Sequence, residues 1–177
     1  MSPHTATMPR LARDGQAPRR KSAVISADGR YRYVLRRWWG GKETIDKPIL
    51  WVMLNPSTAD AEVDDPTIRR CIAFSRSWGY DGMLVGNKYA FRSTDPYALK
   101  SLRLAEATGP DNDMWLRRMA SVSDRIVLAW GNHGGQLVPG ALTHTLHDLW
   151  CLGRNRDGSP KHPLYLRYNL PLQPWRS

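Results

Sequence analysis

A chain of 177 residues with 41% hydrophobic content has the length for one domain and the apolar material for one core of ordinary size. Its net charge of +10 favours polyanionic partners, because each lysine or arginine set against a phosphate releases condensed counterions. Two cysteines, Cys71 and Cys151, far apart and outside any Cys-x-x-Cys pattern, argue against a disulfide framework and against a zinc or iron–sulfur centre, so no metal or cofactor is expected.

Residues 1–22 are polar and basic, end in Arg19-Arg20-Lys21, and carry no periodicity that would give them a buried face. They read as a mobile basic arm, leaving residues 23–177 as a single domain. From Tyr31 to Arg37, aromatic and β-branched residues mix with arginines, as in an edge strand with one polar face, and Gly40-Gly41 then turns the chain. Ile49 to Leu54 is apolar throughout and bounded by Pro48 and Asn55-Pro56, so a central strand covered on both faces is expected. It is also the longest apolar run, too short to span a bilayer, and the N-terminus lacks the apolar core of a signal peptide. A cytoplasmic protein without a membrane partner follows as the expectation, and a monomer is the simplest form.

Asp64-Asp65 before Pro66 supplies a helix cap and a first-turn proline, and Ile68, Cys71, Ile72 and Ser75 follow at helical spacing until Gly79. The arginines at 69, 70 and 76 fall on the solvated side of that helix. Met83 to Asn87 reads as a second buried strand, followed by the polar loop Phe91 to Pro96 and a short helix from Pro96 to about Leu104. Past Gly109-Pro110, the acidic start Asp111-Asn112-Asp113 opens a helix carrying Trp115, Met119 and Val122 on one face. Arg125 to Trp130 gives a third buried strand, a helix is expected from about Leu137 to Trp150, and a last strand near Leu164 to Tyr168. Strand alternating with helix at this spacing predicts a three-layer α/β fold, a mostly parallel central sheet with helices on both faces.

Ligands in such sheets bind beyond the carboxyl ends of the strands. Four polar loops fall there: Leu54 to Ser57, Asn87 to Arg92, Trp130 to Gly134, and Lys161 to Tyr165. They bring together amides, imidazoles, aromatic faces and cations, which suits reading a base beside phosphates. Ser57, Lys88, Arg92, Asn132, His133 and Lys161 are the candidates for nucleic-acid contact, with DNA favoured over RNA as the partner. Blander roles stand beside these. Asn55-Pro56 also suits a strand-ending turn, Asp64 and Asp65 suit capping, and His133 or His162 could serve a structural hydrogen bond or none.

Leu54-Asn55-Pro56-Ser57-Thr58-Ala59-Asp60, Asp64-Asp65-Pro66-Thr67, Trp130-Gly131 and His162-Pro163-Leu164-Tyr165 together resemble domain-of-unknown-function family 1643, which occurs in bacteria and their phages, over roughly residues 24–176. More distantly, the order of motifs is similar to that of the uracil-DNA glycosylase superfamily. That second resemblance implies a glycosylase-like fold in which Asn55 positions a water, Asn87 reads the base, and His162 hydrogen-bonds the departing base. Leu164 would be the wedge into the stack, and Tyr89 or Phe91 a stacking surface. Asn55 is neutral, so Asp60, Asp64 or Asp65 would have to take the proton from water. Leu164 stands where that superfamily usually has a serine, which weakens the loop as a phosphate clamp. The expected activity is hydrolysis of an N-glycosidic bond to a uracil-like or modified base; the alternatives are a non-catalytic nucleic-acid or nucleotide-binding protein of the same fold, or an enzyme on free nucleotides.

Overall fold

A computed structural model describes residues 21–40, 47–57, 59–145 and 148–175. Seven strands form one sheet: β1 (Lys21–Ile25), β2 (Arg32–Trp38), β3 (Ile49–Met53), β4 (Gly82–Asn87), β5 (Arg125–Leu128), β6 (Leu149–Cys151) and β7 (Gln173–Pro174), in the order β1-β2-β4-β3-β5-β6-β7. The central pairings β4–β3, β3–β5 and β5–β6 are parallel, whereas β1–β2, β2–β4 and β6–β7 are antiparallel. The sheet is therefore mixed, which corrects the expectation of a mostly parallel one. The parallel strands form its middle, as their unbroken apolar sequences require.

Every residue of β3 is buried, and alternate side chains enter different cores. Leu50, Val52 and Leu54 join Leu116, Met119 and Ala120 of helix α3 (Asn112–Val122), whereas Ile49, Trp51 and Met53 join Ile68, Cys71 and Phe74 of helix α1 (Pro66–Ser77). The sheet thus carries a main helix on each face. A short helix, α2 (Leu104–Thr108), precedes α3. Inside the α1 core the indole N–H of Trp51 donates to Ser75 Oγ at 2.9 Å, and that hydroxyl donates to the Cys71 carbonyl at 2.8 Å, so the buried serine is satisfied. On the other face Gly86 of β4 lies under α3. A methyl group there would meet Met119 Cε at 2.6 Å and Leu116 Cδ2 at 2.8 Å, so the glycine sets how closely helix and sheet approach.

Several sequence expectations give way. The strand expected at the sheet edge is internal: β2 lies between β1 and β4, and its Arg32 and Arg37 are buried. The irregular segment that leads to α1 holds most of their guanidinium N–H groups, although Arg32 Nε has no partner. Arg32 Nη1 donates to the Ala59 carbonyl; Arg37 pairs with Asp64 at 2.6 Å and donates to the Asp60 and Val63 carbonyls at 2.6 and 3.2 Å. Lys21 and Ser22, assigned to the arm, belong to β1; residues 1–20 and Gly41 lie outside the described residues. The helix expected from Leu137 to Trp150 is replaced by a 3-10 turn at Gly140–Leu142 and by β6. Pro139-Gly140 breaks the pattern, and the apolar trio Leu149-Trp150-Cys151 pairs with β5 instead. The strand expected near Leu164–Tyr168 is a 3-10 turn, Pro163–Tyr165, because Pro163 fixes φ and offers no N–H for a ladder; β7 takes the place of the last strand. The segment from Pro96 is a 3-10 helix, Pro96–Ser101, followed by α2. No helix among the described residues is long and apolar enough to cross a membrane.

Candidate functional site

Parallel pairing of β3 with β4 and β5 places the ends of all three strands at one edge of the sheet, with Met53 beside Asn87 and Val52 beside Leu128. A cavity of about 620 Å³ opens there, a volume suited to a small organic ligand. Of the residues expected in a site, it brings together Asn55, Ser57, Asp65, Asn87, Asn132, His133, Lys161 and His162.

Asn87, the last residue of β4, is 1% exposed. Its backbone carbonyl accepts from Asn112 Nδ2 at 3.0 Å, yet neither Oδ1 nor Nδ2 of its own side chain has a partner. An unpaired buried amide costs about 1–3 kcal/mol, so a cavity-lining one is a ready donor–acceptor pair for a ligand. Asn55 is partly committed: its Nδ2 donates to the Ser93 and Pro56 carbonyls at 2.9 and 3.2 Å, so its Oδ1 is what remains for the cavity.

Asp65 caps α1, its Oδ1 accepting the Ile68 N–H at 2.8 Å while Oδ2 accepts from Ser57 Oγ. Its charge raises the proton affinity of both Arg32 and His162, which sets it near the two. Burial outweighs it in each case. Arg32 is brought down to about 10 and remains protonated at neutral pH, and His162 is held below the usual histidine value of 6.5. The Leu164 N–H donates to His162 Nδ1 at 3.3 Å, so the neutral ring carries its proton on Nε2. Gly131 passes close to this histidine: its φ is +75°, and a methyl group there would stand 3.2 Å from His162 Cβ.

The other sequence candidates lie outside the cavity lining. Asp60 Oδ1 accepts the Glu62 and Val63 N–H groups at 2.9 Å each, and these bonds pull its pKa below the ordinary value. Asp64 is pushed up by burial but pulled down further by its contacts with Arg37 and Lys21. Lys88 donates to the Leu137 carbonyl at 2.7 Å and to that of Gly134, and sits 5.0 Å from the centre of the Trp130 ring, so it braces the loop after β5. Arg92 donates to the Gly29 carbonyl at 3.1 Å, Tyr89 and Phe91 pack against the core under α3, and Leu164 is not part of the lining.

Sequence reasoning missed Arg32, Ser93, Thr94, Asn155 and Tyr165 in the lining. Arg32 is hidden by its place in an apparent edge strand. Tyr165 sits one residue past the expected wedge and is 86% exposed, whereas Leu164 is half-buried.

No curated protein and no solved structure matches the chain, so the likeness to the uracil-DNA glycosylase superfamily rests on the order of short motifs alone. The profile of the family described as "Protein of unknown function (DUF1643)" matches residues 32–164, a span that opens on the buried cavity arginine and closes two residues after His162. With three quarters of its length so matched, the chain belongs to the DUF1643 family.

Proposed function

We propose that the cavity binds a nucleobase presented by a nucleic acid and hydrolyses its N-glycosidic bond. The observation that carries this reading is the Asn87 side chain, buried in the lining with both amide atoms unpaired. An imide or amide edge, such as that of uracil, offers the complementary acceptor beside a donor. His162 Nε2–H would hydrogen-bond the base as the bond to C1′ breaks and its electron pair moves onto the base. Water would add its oxygen to C1′, held by the Asn55 carbonyl oxygen, and give up its proton toward Asp65, while the departing base takes a proton from solvent.

Binding without turnover is the second reading, favoured by one observation: each Asp65 oxygen already accepts a hydrogen bond, which weakens it as a base. Oligonucleotides bearing uracil, hypoxanthine or hydroxymethyluracil, incubated with the protein and then cleaved with alkali, test both. Strand cleavage that Asn87→Ala abolishes supports hydrolysis. Tight binding without cleavage selects the second reading, and neither binding nor cleavage across the panel refutes both.

A further inference from the structure

Among the described residues, the large hydrophobic side chains left most exposed include three aromatics, Tyr97, Tyr165 and Tyr168, at 58%, 86% and 59%. Exposed aromatic rings scattered at random would need no explanation. These three belong to two separate segments that both border the cavity. Tyr97, in the 3-10 helix after β4, packs edge-on against His133, a lining residue, with ring centres 5.5 Å apart. Tyr165 itself lines the cavity, its ring centre 6.4 Å from that of His162, and Tyr168 lies three residues further on, its ring centre 6.4 Å from that of Phe74. Each segment also pairs a ring with a cation: Lys100 Nζ lies 4.7 Å from the Tyr97 centroid and the Arg70 guanidinium 3.5 Å from that of Tyr168. Arg70 thus packs on Tyr168, three residues beyond the cavity-lining Tyr165, and is not simply part of a solvated helix face.

Resting on the reading of the cavity as a nucleobase site, we infer that a single-stranded polynucleotide runs across the mouth, its flanking bases stacked on Tyr97 and on Tyr165 and Tyr168 while one base enters. Aromatic faces interleaved with cations are what an unpaired strand uses: every base has a face to stack, and the backbone phosphates need positive charge close by. The net charge of +10 is complementary to such a strand. In a duplex the neighbouring bases are already stacked and paired, so exposed rings would gain nothing from them. The same features would be superfluous for a free mononucleotide, which the cavity alone could enclose.

Anisotropy measurements on the full chain distinguish these cases, using labelled oligothymidylate of about ten nucleotides, a site size within the range of single-strand binders, its blunt duplex, and thymidine monophosphate as competitor. The single strand is expected to bind tighter than the duplex. Tyr97→Ala and Tyr168→Ala should each weaken single-strand binding roughly 5- to 150-fold, the equivalent of about 1–3 kcal/mol per stacked base, with Tyr→Phe variants restoring it and melting temperatures unchanged. Competition by thymidine monophosphate should be the same in wild type and both alanine variants. Duplex binding as tight as single-strand binding, or alanine variants without effect, overturns the inference and leaves the cavity reading intact. If Asn87→Ala fails to change thymidine monophosphate competition, the cavity reading itself falls.

Discussion

At the residue scale, Asn87 and His162 make opposite demands on stability and chemistry. Asn87 keeps an unpaired amide buried, which destabilises the empty protein, so Asn87→Leu should raise the melting temperature while abolishing ligand binding. For a domain of this size, relief of about 1 kcal/mol corresponds to roughly 2–4 °C; a melting temperature that drops instead marks a structural amide. His162 is half-buried, its proton affinity is lowered by that burial, and the neutral ring carries its proton on Nε2. Its folded pKa lies below 6.5, so the unfolded chain takes up the proton first, and stability falls as pH drops from 6.5 toward the folded value. An NMR titration should find the His162 midpoint below 6.5, and Asp65→Asn should lower it further, because Asp65 is the charge that holds it up. His162→Ala should cost about 2.7–4 kcal/mol in transition-state stabilisation with little change in single-strand binding, read by single-turnover cleavage. Asn87 and His162 were singled out in the sequence, Asn87 as the polar residue that ends an apolar run and His162 as the imidazole beside Pro163 and a short apolar stretch. The competing duties of Asp60, Asp64 and Lys88 were not, because a carboxylate that holds N–H groups or a lysine that braces carbonyls has the same letter as one that faces a ligand.

At the scale of elements, β3, β4 and β5 could be read from their apolar runs, and α1 from its Asp65 cap and the spacing of Ile68 and Cys71. β6 and β7 escaped notice because a strand of two or three residues carries no period, and β2 misled because its three arginines look solvated until a partner segment is known. Tertiary contact also explains a glycine that propensity would disfavour. Gly86 lets α3 settle against β4, and α3 begins with Asn112, whose Nδ2 holds the carbonyls of Asn87 and Lys88 at 3.0 and 3.3 Å. Gly86→Ala should therefore destabilise by about 1–3 kcal/mol through overpacking, and should also weaken binding in a cavity it never touches. A denaturant titration paired with anisotropy checks both effects; loss of stability with binding unchanged would show that the Asn112 bridge does not govern the cavity floor.

Taken as a whole molecule, the chain holds a charge of +10, so oligonucleotide affinity should fall steeply between low and physiological salt; a flat titration would remove nucleic acid as the partner. Two of the positive charges are not on the surface at all. Arg32 and Arg37 reach out of β2 into the segment from Ala59 to Asp64, which has no helix or strand of its own and is held largely by those guanidinium groups. Asp64 has a folded pKa below 3.8, so the stability it confers is present above that value and drains away as pH falls through the folded one. Ser57 and Asp65 stand at the two ends of this clasped segment. Acid should accordingly dismantle the molecule in order, the lip of the cavity first and the parallel strands last, and amide hydrogen exchange below pH 3.8 would register residues 59–65 opening while β3 stays protected.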